Sequence, residues 1–292
     1  MRLRRPTRGL RWYFDHNDGH LIHKWLHYFP IYEQYLDPYR GRAVTMLEIG
    51  VSQGGSLQMW RHYLGRRAAV VGFDIEPRVT ELTEPGIDVL VGDQSDPVFL
   101  KSLCDGYGPF DIVLDDGSHL PEHQIVSITH LWPHLAVGGV YLVEDLHSNY
   151  WAAYGAGRGH PDSFISWLHE RVDDLHAFHS EDPDLEVNDW TLTLESVHVH
   201  DSVAVLRKAK RDAPVHRKTG RPAFDDVYGI EADDVIDEHH RAQLRSLSSP
   251  AARLRRARKD PFGALRRAAR RLPLGPDARR RLPRHRRSRS VT

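Results

Sequence analysis

The sequence predicts an α/β fold, a mostly parallel sheet with a closing antiparallel strand pair, and three observations predict it. Five short apolar runs lie between residues 43 and 143, separated by segments with helical spacing. Most of the runs end on a glycine or a carboxylate, as strands do where a sheet releases the chain at a binding edge. Past residue 190 the apolar period changes to two, the mark of strands with one face on a core.

Taken in order, residues 1–12 are basic and predict disorder. Leu21, Trp25, Tyr28, Phe29, Tyr32 and Leu36 recur at helical spacing and predict an amphipathic helix or two over residues 20–35. The runs 43–50, 69–74 and 88–93 read as the first three strands, with a helix opened by Gly54 and Gly55 after the first. Residues 97–104 read as helix, 110–114 as the fourth strand, 122–135 as its following helix and 140–143 as the fifth strand. This alternation at βαβ spacing makes the five strands parallel. A helix over residues 163–177 and period-two runs at 190–194, 197–200 and 202–206 complete the domain with an antiparallel pair.

The formal net charge is zero, but residues 251–292 carry about 16 Arg/Lys against Asp260 and Asp277, leaving about −14 on the rest. Five prolines from Pro250 onwards interrupt helix formation there, so an Arg-rich, largely disordered tail is predicted. A basic amphipathic helix at 265–272, touching an anionic membrane or nucleic acid, is the competing reading. Cys104 is alone, which excludes an intrachain disulfide and fits a reducing compartment. No stretch has the roughly 18–20 apolar residues of a membrane span, so the expected location is cytoplasmic.

The chemistry concentrates at strand ends. Asp115-Asp116-Gly117-Ser118-His119 and Glu144-Asp145 each follow a buried run, with one helical crossover between them. Adjacent parallel strands release their C-terminal ends on one edge, so Asp116, Glu144 and Asp145 are predicted to converge with His119 in a crevice. Three carboxylates that close repel unless a cation lies among them, which points to a metal site with a base beside it. Hard oxygen donors favour Mg²⁺ or Mn²⁺ over Zn²⁺. His119 and His123, four apart, form a zinc half-site only on paper, because no third soft ligand stands nearby.

Between the first strand and first helix, Glu48-Ile49-Gly50-Val51-Ser52-Gln53-Gly54-Gly55-Ser56 lets backbone approach a ligand and exposes helix amides. Asp74 ends the second strand, where a carboxylate accepts ribose hydroxyls, and Asp93 with Gln94 ends the third, within reach of an adenine edge. The loop lacks dinucleotide spacing and a Walker lysine. Gly50-x-Ser52-x-Gly54 also matches a hydrolase nucleophile elbow, with Asp145 in order for a triad, but no oxyanion loop precedes it.

Glycine loop, Asp74, Asp93 and the closing pair look like a class I S-adenosylmethionine-dependent methyltransferase with its Rossmann-like fold. Leu47-Glu48-Ile49-Gly50-Val51, Ser56-Leu57-Gln58-Met59-Trp60, Gly72-Phe73-Asp74-Ile75, Asp115 to His119, Gly138-Gly139-Val140-Tyr141 and Glu144 to Trp151 narrow the likeness. Together they resemble the Mg²⁺-dependent macrolide-sugar and rhamnosyl O-methyltransferases and cephalosporin-hydroxylase-like proteins over roughly residues 12–208. The resemblance implies S-adenosylmethionine held by Glu48, Gly50, Gly54, Ser56, Asp74, Asp93, Gln94 and Asp115, the last of which also reads as structural support. It implies a metal held by Asp116, Glu144 and Asp145, and His119 as catalytic base.

Tyr150 and Trp151 offer an aromatic wall for a sugar face or plain packing. The implied reaction is methylation of a sugar hydroxyl on a glycosylated metabolite or glycolipid, antibiotic biosynthesis included. A catechol-like acceptor is the alternative, and a homo-oligomer is compatible. The organisation is then a basic segment and helical cap (1–42), a methyltransferase domain (43–210) and the tail (211–292). Two departures stand out: the chain is shorter N-terminally than the macrolide enzymes, and its tail is foreign to their pattern.

Overall fold

The computed structural model describes residues 9–217. In chain order, α1 (Leu10–Asp15) and α2 (Tyr28–Leu36) flank an irregular strap over residues 16–27. They precede β1 (Thr45–Ile49), α3 (Gly55–Leu64), β2 (Ala69–Asp74) and β3 (Ile87–Val91). The second half holds α4 (Pro97–Tyr107), β4 (Phe110–Asp115), α5 (Pro121–Leu131) and β5 (Leu135–Val143), then α6 (Phe164–His176), β6 (Leu194–His200) and β7 (Val203–Lys208).

The seven strands lie in the order β3-β2-β1-β4-β5-β7-β6. β1 to β5 pair in parallel, and β7 runs antiparallel to both β5 and β6. Period-two alternation splits the core between the two faces. Met46 faces a layer with Phe29, Tyr32 and Trp60, while its neighbour Leu47 faces Leu103, Ile128 and Tyr141. Local signals fix the helix starts: Asp96 accepts from the Val98 amide with Pro97 in the first turn of α4, and Ser163 accepts from the Ser166 amide at α6. Cys104 is buried on the α4 side of the sheet, and burial pushes its thiol up to about 12.

The chain leaves β1 towards β2, then returns to β4 on the other side, which makes the β1–β4 boundary a topological switch point. The Asp116 amide donates to Ile49 O and the Glu144 amide to Asp115 O, so three consecutive strand ends stay in register there.

Several boundaries differ from expectation. The basic start is partly helical, because Leu10 is fully buried in the layer under α2. No helix covers residues 20–27; the backbone is irregular until Tyr28. α5 stops at Leu131 because Pro133 follows, and a 3₁₀ turn (Trp132–His134) leads into a β5 longer than predicted. Residues 190–193 form a turn rather than a strand, since Asn188 Oδ1 accepts from the amides of Trp190 and Thr191. Among the described residues no helix is long and apolar enough to cross a membrane. Of the predicted tail, residues 211–217 are described, and Arg211 donates to the carbonyls of Thr191, Leu194 and Leu175; residues 218–292, the tail's membrane or nucleic-acid contacts and the segment before residue 9 lie outside the described residues.

Candidate active site

A cavity of about 420 Å³ opens at the switch point, walled by the glycine loop, the ends of β2 and β3, the β4 loop and the strap. Gly50 has φ +86°, and a Cβ there would lie 2.1 Å from Asp116 O, so only glycine lets the β1 and β4 loops touch. A Cβ on Gly55 would meet His20 O at 2.3 Å and Leu21 O at 2.5 Å, so this glycine admits the strap.

Asp74 Oδ2 accepts from the amides of Val51 and Ser52, each at 2.9 Å, and Oδ1 from the Glu76 amide at 3.0 Å. The carboxylate at the end of β2 therefore ties the glycine loop and lines the cavity. Asp93 also lines it, accepting from the Ser95 amide and hydroxyl at 2.7 Å, bonds that hold its pKa below the usual carboxylate range.

Other residues assigned to the cofactor stand behind this wall. Glu48 is buried, accepting from Ser56 Oγ at 2.8 Å and Trp60 Nε1 at 3.0 Å, and burial pushes it up to about 7. Asp115 is also fully buried and raised to about 7 by burial, consistent with its reading as structural support. Gln94 reaches the cavity but bonds Asp115 and Ser127 through Nε2 and accepts the Ser118 amide at 2.6 Å through Oε1. Gln94 thus clamps the β4 loop while lining the cavity. Gly54, at φ +80°, caps α3 beneath the loop and does not line the cavity, whereas Gly50 and Ser56 do.

Asp116, His119 and Asp145 converge at the cavity rim, each offering a ligand atom within 4.8 Å of the others. His119 and Asp145 adopt left-handed φ values of +58° and +54°, backbone strain of the kind kept at functional sites. His119 Nε2 lies 3.6 Å from Asp145 Oδ2, and its buried Nδ1 lacks a hydrogen-bond partner among the described residues. His123 does not join them; its Nδ1 sits 3.0 Å from Ser118 Oγ, so the paired-histidine zinc reading fails.

Glu144 lies behind the three residues that converge at the rim. It is buried, with Oε1 accepting from Tyr32 Oη at 2.7 Å and Oε2 from Lys24 Nζ at 3.0 Å, and burial raises its pKa. The same ammonium lies 2.5 Å from Asp116 Oδ2 and 3.8 Å from Glu48 Oε1. Burial works against the charge on Lys24, but the three carboxylates outweigh it and hold its pKa well above the usual lysine range. Tyr28 Oη donates to Asp145 Oδ1 at 2.6 Å.

Sequence reasoning missed Lys24, Tyr28 and Tyr32 as site residues. Their spacing of four was the available signal, but the two tyrosines read as core of a helix face. Ser52 heads an exposed turn whose amide is held by Asp74, and Asp145 is engaged by Tyr28, so among the described residues no hydrolase triad forms around it.

A row of rings runs from Trp25 to His147 (5.8 Å between centroids), Trp151 (4.8 Å), Tyr154 (5.9 Å) and His119 (6.4 Å), the last of which lines the cavity. Trp151 is half exposed within this row, and Tyr150, also exposed, is not part of it.

The frame from β1 to Asp145 coincides with a family match: residues 47–146 fit the model described as a methyltransferase domain. Residues 47–146 form a methyltransferase domain. Around it, 192 residues are 41% identical to 8-demethyl-8-alpha-L-rhamnosyl tetracenomycin-C 2'-O-methyltransferase of Streptomyces olivaceus, covering 62% of this chain and 50% of that protein. Mycinamicin VI 2''-O-methyltransferase of Micromonospora griseorubida is 34% identical over 200 residues, 64% of this chain and 49% of that one. A solved structure of the mycinamycin-pathway methyltransferase MycE in complex with Mg and SAH matches with TM-score 0.60 and 33% identity, over 64% of this chain and 51% of that chain. The methyltransferase domain and its flanks thus span about half the length of the relatives they match.

Proposed function

We propose that this chain is an S-adenosylmethionine-dependent O-methyltransferase requiring Mg²⁺ or Mn²⁺, which methylates a sugar hydroxyl of a glycosylated secondary metabolite. The observation that carries the reading is the convergence of Asp116, His119 and Asp145 on the rim of a cavity otherwise walled by the glycine loop and Asp74.

The residues fit a hard divalent ion. Two carboxylates offer oxygen, and the His119 ring lies beside them with an unpartnered buried nitrogen. Asp116, Asp145 and Glu144 would hold the ion, with Lys24 bridging Asp116 and Glu144. Such an ion, when bound, lowers the pKa of a coordinated hydroxyl and offsets carboxylate charge. The glycine loop and Asp74 would bind the methyl donor, whose sulfonium makes the methyl carbon electrophilic.

The remaining work falls to this chain. His119 takes the proton from the acceptor hydroxyl as its oxygen bonds the methyl carbon; the methyl–sulfur bond would break, its electron pair staying on sulfur as S-adenosylhomocysteine leaves, and Asp145 Oδ2 beside Nε2 stabilises the resulting imidazolium. The row from Trp25 to Tyr154 gives an apolar face against which a sugar ring can stack while its hydroxyls turn to the carboxylates. Relatives named for rhamnosyl and mycinamicin substrates favour a deoxysugar acceptor. MycE has also been solved with Mg, SAH and mycinamycin VI together.

Calorimetric titration of S-adenosylmethionine into wild type and Asp74→Asn tests the first half. We expect micromolar-range binding that the substitution weakens about tenfold. Methyl transfer to rhamnosylated polyketides, active with Mg²⁺ and lost with EDTA, tests the second. Folded protein that binds no S-adenosylmethionine would overturn the proposal.

A further inference from the structure

Lys24 lies on the irregular strap rather than in the sheet, yet its side chain is only 3% exposed and ends among acids. Its Nζ touches Asp116 Oδ2 at 2.5 Å and Glu144 Oε2 at 3.0 Å, with Glu48 Oε1 at 3.8 Å. Among the described residues no other lysine or arginine forms an ion pair with these three carboxylates. Asp116 is shared: one of its oxygens faces Lys24, while the residue also belongs to the cluster at the cavity rim.

Charge explains the arrangement. Asp116, Glu144 and Asp145 bring three carboxylates into a partly dehydrated pocket, where like charges repel strongly. A protein that met this repulsion only with a divalent ion would lose its site whenever the ion left. An ammonium fixed on the chain supplies one positive charge permanently. Because it sits on carboxylates that would also hold the ion, it opposes the ion's binding.

We propose that Lys24 is a tethered cation that shares Asp116 and Glu144 with the divalent metal, so that the site stays assembled without the ion and binds it reversibly. Lys24 is thus a positioning residue that sets metal affinity through the carboxylates. This rests on the metal reading above.

The test is Mn²⁺ affinity, read from the paramagnetic resonance of free Mn²⁺, with thermal melting in EDTA and in Mn²⁺. Lys24→Met keeps chain length and removes the charge. It should tighten Mn²⁺ binding at least about tenfold, lower the melting temperature in EDTA, and enlarge the rise that Mn²⁺ produces. Glu144→Gln added to Lys24→Met should recover the melting temperature in EDTA. Should Lys24→Met alone not fold, the comparison of Glu144→Gln with the double variant replaces it, and losing the ammonium must again tighten binding.

Asp116→Asn is the control that removes binding in either background. If neither wild type nor Lys24→Met binds Mn²⁺ saturably, the metal reading falls and takes this proposal with it. If wild type binds and loss of Lys24 leaves affinity unchanged or weaker, the metal reading stands and the tethered-cation proposal is overturned.

Discussion

His119 and Asp145 hold left-handed backbone at φ +58° and +54°, conformations that glycine adopts at less cost. Each departure from glycine costs on the order of 1 kcal/mol, so the side chains account for the choice of residue. For His119→Gln we expect kcat to fall about 10²- to 10⁴-fold while S-adenosylmethionine affinity measured by calorimetry changes little. Gly50 presents the opposite case, since any side chain would strike the backbone of Asp116. Gly50→Ala should lower stability by at least about 2 kcal/mol in urea unfolding, combining forbidden φ with a steric clash. These residues were legible in sequence because their chemistry sits at strand ends. Strand-end position announces Gln94 as polar but not which way its amide turns, and here Ser118 and Asp115 decide it.

At the scale of elements, the strap and α2 carry what the apolar pattern concealed. Tyr28 and Tyr32 follow helical periodicity and are buried, yet their hydroxyls end on Asp145 and Glu144. Periodicity reports the ring and is silent about the oxygen. The central strand runs were easy to read because both of their faces are buried; the strap's helical spacing at Leu21 and Trp25 misled, since both side chains are exposed and the conformation is set by contacts with α3 and the carboxylates. Buried Glu48, in the layer shared by β1, α3 and the strap, gives this region a pH signature. Burial pushes its folded pKa up to about 7, above the usual 4.5 of a glutamate. Between those values the folded state binds more protons than the unfolded, so Glu48 makes stability fall as pH rises across that window. Glu48→Gln should remove this contribution, and its urea midpoint relative to wild type should become more favourable from pH 5 to pH 8.

For the molecule as a whole, the switch between β1 and β4 places the glycine loop and the metal-type cluster around one cavity, with the row of rings meeting its rim at His119. Ligand binding should therefore report on the entire domain. With S-adenosylhomocysteine at 100 times its Kd, unfolding free energy should rise by about 2.7 kcal/mol, read as a shift in urea midpoint. Topology was legible because βαβ alternation leaves few ways to order a parallel sheet. The strap's ties to the site have a temporal consequence as well. Lys24 meets Asp116 and Glu144 across separations of 92 and 120 residues, and Tyr28 meets Asp145 across 117. During synthesis the strap emerges before any of these partners, and such distant contacts form late because the intervening chain must be ordered first. In refolding followed by stopped flow, recovery of cofactor binding should lag recovery of sheet signal, so a competent cavity certifies that the rest of the domain has already folded.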